Sequence, residues 1–270
     1  MRRAFLISAV ALATLATLAS CNKEQNAVMK FTATIENADK TNFNINNDGL
    51  GVVTWNEGDQ VNINNARYNA TNISSDGKTA ELVYDGGFSD IDAIGYTAVY
   101  PADWYKYSNK TLSLPWDHYG TAAGVKAPMC AYSESGTTNL QFKNLCGMVV
   151  LKVKSPGKTL DCIYIQTDDG EYITGSFTVN YNNGEPTLTA ANHNTVTIQC
   201  DGINTPIDDW TYFYFYLPPN NYNVFIITFM DSDGYMCEKF FESGNGHSTF
   251  NVERGKYNLL QFDLSSVVWE

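Results

Sequence analysis

The stretch APMCAYSESGTTNLQFKNLCGMVVLKV, residues 127–153, divides the chain and decides its fold class. Pro128 opens it, and a Ser/Gly/Thr-rich loop follows at 133–138. Beyond the loop, Leu140 and Phe142 alternate with Gln141 and Lys143. After Cys146 and Gly147, Val149, Leu151 and Val153 stand against Lys152 and Lys154. Period-two alternation marks a strand with one buried face. A glycine inside such a run marks a bulge or a bend. The spacing predicts one long strand over 139–153, bent near Gly147 and opening a second domain.

Outward from this seam the same pattern recurs. On its N-terminal side, short alternating runs predict strands at 28–35, 51–55, 60–64, 66–70 and 94–100. Asp76-Gly77 is a hairpin signal between 70–73 and 78–84. On its C-terminal side, strands are expected at 160–167, 172–181, 186–189, 195–200, 210–217, 224–231, 235–241 and 256–264. Asp168-Asp169-Gly170, Asn182-Asn183-Gly184 and Ser232-Asp233-Gly234 supply the turns. No helix of three turns is visible. Short strands at regular spacing predict an all-β chain of β-sandwich type, not a βαβ fold. The boundaries read as a signal at 1–20, a tether at 21–27, one sandwich over 28–138 and a second over 139–270.

The N-terminus carries an address. Arg2-Arg3 precedes an apolar run at 4–18, which ends in Leu18-Ala19-Ser20-Cys21. A basic start, a short apolar core and a small-residue cleavage site make a secretory signal. The run is too short, and too spotted with Ser and Thr, to span a bilayer. Leu-Ala-Ser-Cys matches the bacterial lipobox, so the expected modification is lipidation of Cys21. An acyl chain adds roughly 0.8 kcal/mol of membrane affinity per buried CH₂. The expected location is the outer membrane, lipid-anchored and facing outward.

Composition excludes some partners. The signal holds two of the 17 basic residues, against 29 acidic residues in the whole chain. A surface this acidic repels nucleic acid and anionic lipid, so neither is expected as a partner. Cys130, Cys146, Cys162, Cys200 and Cys237 follow Cys21. They read as small buried hydrophobes or as partial disulfides, and all five cannot pair with one another. No CxxC spacing points to zinc.

Catalytic motifs are missing too. His118, His193 and His247 stand alone, and there is no HExxH, GxSxG or P-loop. Asp231-Ser232-Asp233-Gly234 mimics the start of a calcium loop, but the later ligands are not in step, and it reads as a hairpin turn. The expectation is a non-enzyme with no cofactor and no metal. Residues 103–119 hold Trp104, Tyr105, Tyr107, Trp116 and Tyr119 around Pro115, and read as an irregular excursion. Exposed rings of this kind stack on sugars or anchor a protein. The other reading is a loop folded over the sandwich edge, with its rings inside.

Several motifs occur together in a telling order. They are Pro128-Met129 with Ala131, then Leu140-Gln141-Phe142-Lys143-Asn144-Leu145-Cys146-Gly147. Upstream stand Trp55-Asn56-Glu57-Gly58-Asp59-Gln60-Val61 and Ala98-Val99-Tyr100-Pro101. Downstream stand the run at 212–219 and Arg254-Gly255-Lys256-Tyr257. This order resembles the fimbrillin-like (Mfa-like) lipoproteins of Bacteroidetes, related to type V pilins, over about 28–262. The resemblance implies two tandem transthyretin-like β-sandwich domains. It also implies a structural or adhesive subunit, or an anchor, of a surface pilus assembled by donor-strand exchange. The alternative is a monomeric surface lipoprotein that binds a glycan or a host protein. Relatives of the stalk type carry a basic cleavage point, usually Arg, after the first strand. Here the residue in that loop is Lys40. The strand expected to leave is 28–35, and the segment 257–269 is the expected donor.

Overall fold

The computed structural model describes residues 29–36, 53–87, 95–119, 126–134, 136–189, 191–200, 203, 205–242 and 249–270. Its regular elements are strands, with two single 3-10 turns at Ala102–Trp104 and Tyr107–Asn109. The all-β expectation holds.

Seven strands close into a barrel. They are β1 (Phe31–Ile35), β2 (Gln60–Ile63), β3 (Ala66–Thr71), β4 (Thr79–Gly87) and β5 (Tyr96–Tyr100), with two later strands. Three short strands intervene first: β6 (Tyr105–Lys106), β7 (Thr111–Leu114) and β8 (Asp117–Tyr119). The barrel then resumes with β9 (Met129–Ser133) and β10 (Asn139–Asn144). Around the ring the order is β1-β10-β9-β5-β2-β3-β4. β1 lies antiparallel to β4 and parallel to β10, so it has a partner on each side. Phe31, Ala33 and Ile35 point inward, as the alternation requires. The β2–β3 turn is Asn64-Asn65, both at positive φ (44° and 72°), which Asn tolerates better than most residues.

The remaining strands build the second half. They are β11 (Gly147–Ser155), β12 (Leu160–Thr167), β13 (Gly175–Asn182), β14 (Glu185–Thr189), β15 (Thr195–Gln199) and β16 (Ile207–Leu217). β17 (Asn220–Tyr222), β18 (Val224–Asp231), β19 (Met236–Glu242), β20 (Phe250–Val252) and β21 (Tyr257–Asp263) complete it. One sheet runs β16-β11-β21 and another β19-β18-β12-β15-β8. Val149, Leu151, Phe213 and Phe215 from the first meet Ile163, Ile165, Ile227 and Phe229 from the second in one buried cluster. Two sheets facing each other over a shared core is sandwich packing. A third sheet, β14-β13-β7-β6, covers the opposite face of β11 and β16 through Leu112, Phe177 and Val179.

Two sequence readings need correction. The run 139–153 is not one bent strand. Its first part, β10, belongs to the barrel, and its second part, β11, to the three-stranded sheet. A Cβ on Gly147 would stand 2.5 Å from the Glu253 carbonyl oxygen and 2.6 Å from Val252 Cγ1. The glycine therefore admits a close backbone neighbour at the point where the chain changes sheets. The excursion 103–119 is not irregular either. β7 pairs with β13 and β8 pairs with β15, so this segment of the first half completes two sheets of the second. The third core cluster records the same crossing, since Val99 and Cys130 of the barrel share it with Val150, Phe177 and Tyr214.

Candidate functional site

The residues expected to form a contact surface separate in the structure. Tyr105 is buried, with 6% of its surface exposed, inside the cluster that joins the halves. Burial pushes its phenol up to about 12, so it remains a hydrogen-bond donor at neutral pH. Trp104 and Tyr107 are partly buried and pack against the same cluster. Trp116 differs, with 63% of its surface exposed and its ring 5.9 Å from that of the exposed His193. Backbone pairing fixes its place, because the Thr197 N–H donates to the Trp116 carbonyl at 2.7 Å. Tyr119 lies in β8 opposite Gln199. Cys21 and Lys40 lie outside the described residues.

The other singled-out residues have structural work. Burial pushes the His118 imidazole down to about 4, so it is neutral at pH 7 beside Phe215. The Asp231 carboxylate is occupied by its hairpin: it accepts from the N–H groups of Asp233 and Tyr235 and pairs with Lys158. Burial works against this charge, but Lys158 and the two N–H groups outweigh it and hold the carboxyl below its ordinary range. The five described cysteines are buried and form no disulfide with one another. Burial raises the Cys130 thiol to about 12.

A cluster that the sequence did not announce lies at the end of β1. There the Glu36 N–H donates to the Phe142 carbonyl, continuing the parallel pairing with β10. The Glu36 carboxylate accepts from Arg254 Nη1 at 2.5 Å and from the Asn144 N–H at 2.8 Å. Arg254 also donates to the Asn144 carbonyl at 3.2 Å and, through Nη2, to Glu185 at 2.7 Å. Lys143 closes the group by pairing with Glu185. The guanidinium is planar and forked, so one side chain ties the end of β1, the β10–β11 junction and β14 together. Beyond Arg3, Arg67 and Arg254 are the only arginines in the chain, and this scarcity, with the Arg254-Gly255-Lys256-Tyr257 motif, is the sequence signal that marks this residue.

Comparison with known proteins gives fold evidence. No family model matches, and no curated protein matches. Among solved structures, the chain is similar to a protein from Bacteroides uniformis described as a "putative cell adhesion protein". The TM-score is 0.50 at 15% identity, covering 91% of this chain and 96% of that one. A protein of the same description from Bacteroides ovatus matches with a TM-score of 0.53 at 13% identity, covering 90% and 94%. A looser likeness is to a fimbrial assembly protein from Parabacteroides distasonis, with a TM-score of 0.40 at 11% identity over 90% and 93%. The first two matches share their fold with this chain along nearly its whole length.

Proposed function

We propose that this chain is a fimbrillin-type adhesion subunit of the bacterial surface, anchored to the outer membrane through a lipid on Cys21. Neighbouring subunits join it by replacing strand β1. The observation that carries the reading is the placement of β1. It is a five-residue strand that completes the barrel between β4 and β10, held at its end by the Arg254 cluster. Taking it out leaves two rows of unpaired backbone groups beside an apolar trough, which is the geometry that strand addition fills. The fold shared with the two Bacteroides proteins named for cell adhesion supports the same reading. So do the ordered motifs and the lipobox. Lys40, four residues beyond Glu36, is the proposed cleavage point, and the two halves are read as transthyretin-like units in tandem.

The test is an unboiled denaturing gel of native outer membrane. A ladder of bands that collapses on boiling is the expected result. A single monomer band, unchanged after light trypsin treatment that cuts at Lys40, refutes the assembly reading and leaves a solitary surface lipoprotein.

A further inference from the structure

A second site opens away from β1. A cleft of about 510 Å³ lies between one end of the barrel and the segment that leads from β5 into β6. This size falls within the range of small-ligand pockets, roughly 300–1,000 Å³. Its barrel wall is built from Asn62, Asn65, Arg67 and the end of β4. At that point the β3–β4 register shifts between Arg67 and Tyr68, and Arg67 faces Gly86. A register shift re-aims side chains, and here it sits at the rim of the cleft. A Cβ on Gly86 would meet nothing within 4 Å, whereas one on Gly87 would stand 3.1 Å from the Asn65 carbonyl oxygen. The glycine pair therefore keeps this wall thin and the cleft open. Tyr105 and Tyr107 line the opposite wall.

We infer that this cleft binds an uncharged saccharide of one or two rings. Its charges are balanced: Arg67 and Lys106 stand against Asp85 and Asp103 in the lining. Asp103 also faces Lys126 at 3.7 Å. A balanced lining gives no net attraction to an anionic or cationic ligand. Nor is the cleft an apolar slot. The guanidinium of Arg67, the amides of Asn62 and Asn65 and the carboxylate of Asp85 offer donors and acceptors in planar groups. Planar groups of this kind match the neighbouring hydroxyls of a sugar ring. The half-buried Tyr107 offers part of an apolar ring surface for the C–H face of the same sugar, while the buried Tyr105 only backs the wall. Asp85 is held in position by Gln60 Nε2 at 3.1 Å, and the Asn65 N–H donates to Asn62 Oδ1 at 3.1 Å, so part of the wall is pre-set. Arg67, the other arginine after the signal, is exposed at this cleft. The assignment names a ligand class for an adhesive surface and does not depend on strand replacement.

The experiment is calorimetric titration of the full mature chain with glucose, galactose, N-acetylglucosamine, lactose and cellobiose, and with glucuronic acid as the charged counterpart of glucose. At least one neutral sugar is expected to bind, and glucuronic acid more weakly than glucose. Arg67→Ala and Asp85→Asn are each expected to raise that Kd by about tenfold or more, the size of one charge-assisted hydrogen bond. Both side chains are exposed, so the melting temperature should stay fixed; if one variant unfolds, the other still decides. Trp116→Ala, which lies outside the cleft, should leave the Kd unchanged. The proposal is overturned if no neutral sugar binds, or if glucuronic acid binds more tightly than glucose. It is equally overturned if the two cleft variants bind like the parent chain, or if Trp116→Ala abolishes binding.

Discussion

Replacing Arg254 by Ala should loosen β1 before it loosens anything else. The change deletes two hydrogen bonds from Nη1 and one from Nη2. The Glu185 side chain is 55% exposed, so its share is screened and small. Glu36 is only 22% exposed and Arg254 25%, so the bond between them is the one that counts. A charge-assisted hydrogen bond contributes roughly 1.5–3 kcal/mol net. The Asn144 N–H still holds Glu36 after the change, which puts the loss near the low end, about 2 kcal/mol. At about 1.4 kcal/mol per tenfold, the open state of β1 becomes roughly 30-fold more populated. The assay is amide hydrogen exchange. The N–H groups of Thr32, Ile35 and Glu36, bonded to Thr138, Lys78 and Phe142, should lose protection by that factor. The amides shared by β11 and β16 should keep theirs, because Arg254 makes no bond to that ladder. Unchanged protection along β1 refutes the latch. Equal loss along β1 and β11 refutes the idea that β1 opens as a separate piece.

The other expectations are more direct. Replacing Cys21 by Ala should move the protein from the membrane fraction to the soluble one and abolish acyl labelling; retention with undiminished label counts against the anchor. A chain starting at Thr137 loses β7 and β8 along with the barrel, so Leu112 no longer covers Phe177. Such a chain should bind a hydrophobic dye and melt without a sharp transition, and a cooperative melt would show that the second half folds unaided. The folded Asp231 carboxyl lies below its ordinary value, so its contribution is present above about pH 4 and is lost as pH falls through the lower folded value. Asp231→Asn should therefore flatten the acid side of the stability curve, and an unchanged acid slope would refute the assignment.

Elements were legible in the sequence, while their partners were not. Alternation found β10, β11, β12 and β18 because each runs long enough to show period two, and Gly77, Gly184 and Gly234 marked turns that do take positive φ. Alternation cannot say which strand lies beside which. β10 pairs with β1, more than a hundred residues earlier, and that pairing closes the barrel. β7 and β8 are four and three residues long, too short for a period, and both owe their form to strands of the second half. Gly147 was visible as an anomaly, but its cause is Glu253, far along the chain. The Glu36–Arg254 pair spans 218 residues, and no local pattern announces it. The aromatic segment shows the same limit. Composition marked Trp104, Tyr105, Tyr107 and Trp116 alike, and only the fold sets Trp116 outside and Tyr105 inside.

The structure also bears on the direction that the proposed strand replacement would take. The segment 257–269, the expected donor, is engaged in its own fold. β21 pairs with β11 from Tyr257 to Asp263, Phe262 and Leu264 are buried, and Glu270 exchanges two backbone hydrogen bonds with Met236. Releasing it would strip a sheet and uncover a core. β1 is the smaller piece. It buries Phe31, Ala33 and Ile35, with Phe31 edge-on to Tyr68 and Tyr96 at ring distances of 5.3 and 5.0 Å. Burying Phe and Ile stabilises by about 1.5–3 kcal/mol each, so β1 is worth about 5 kcal/mol in apolar contact, within reach of a competing strand. On the proposed strand replacement, the trough it leaves would accept an aromatic, a small and an aliphatic residue at alternate positions, and the reading that follows is a receiver before a donor. A chain beginning at residue 41 tests this. Adding a peptide of residues 28–36 should raise its melting temperature, and the same peptide carrying Phe31→Asp should not. A peptide of residues 257–269 should have no effect, because its own groove is already filled. If the 28–36 peptide fails to stabilise the trimmed chain, the receiving role fails; if the C-terminal peptide stabilises it equally well, the trough is not selective and 257–269 stands as the donor after all.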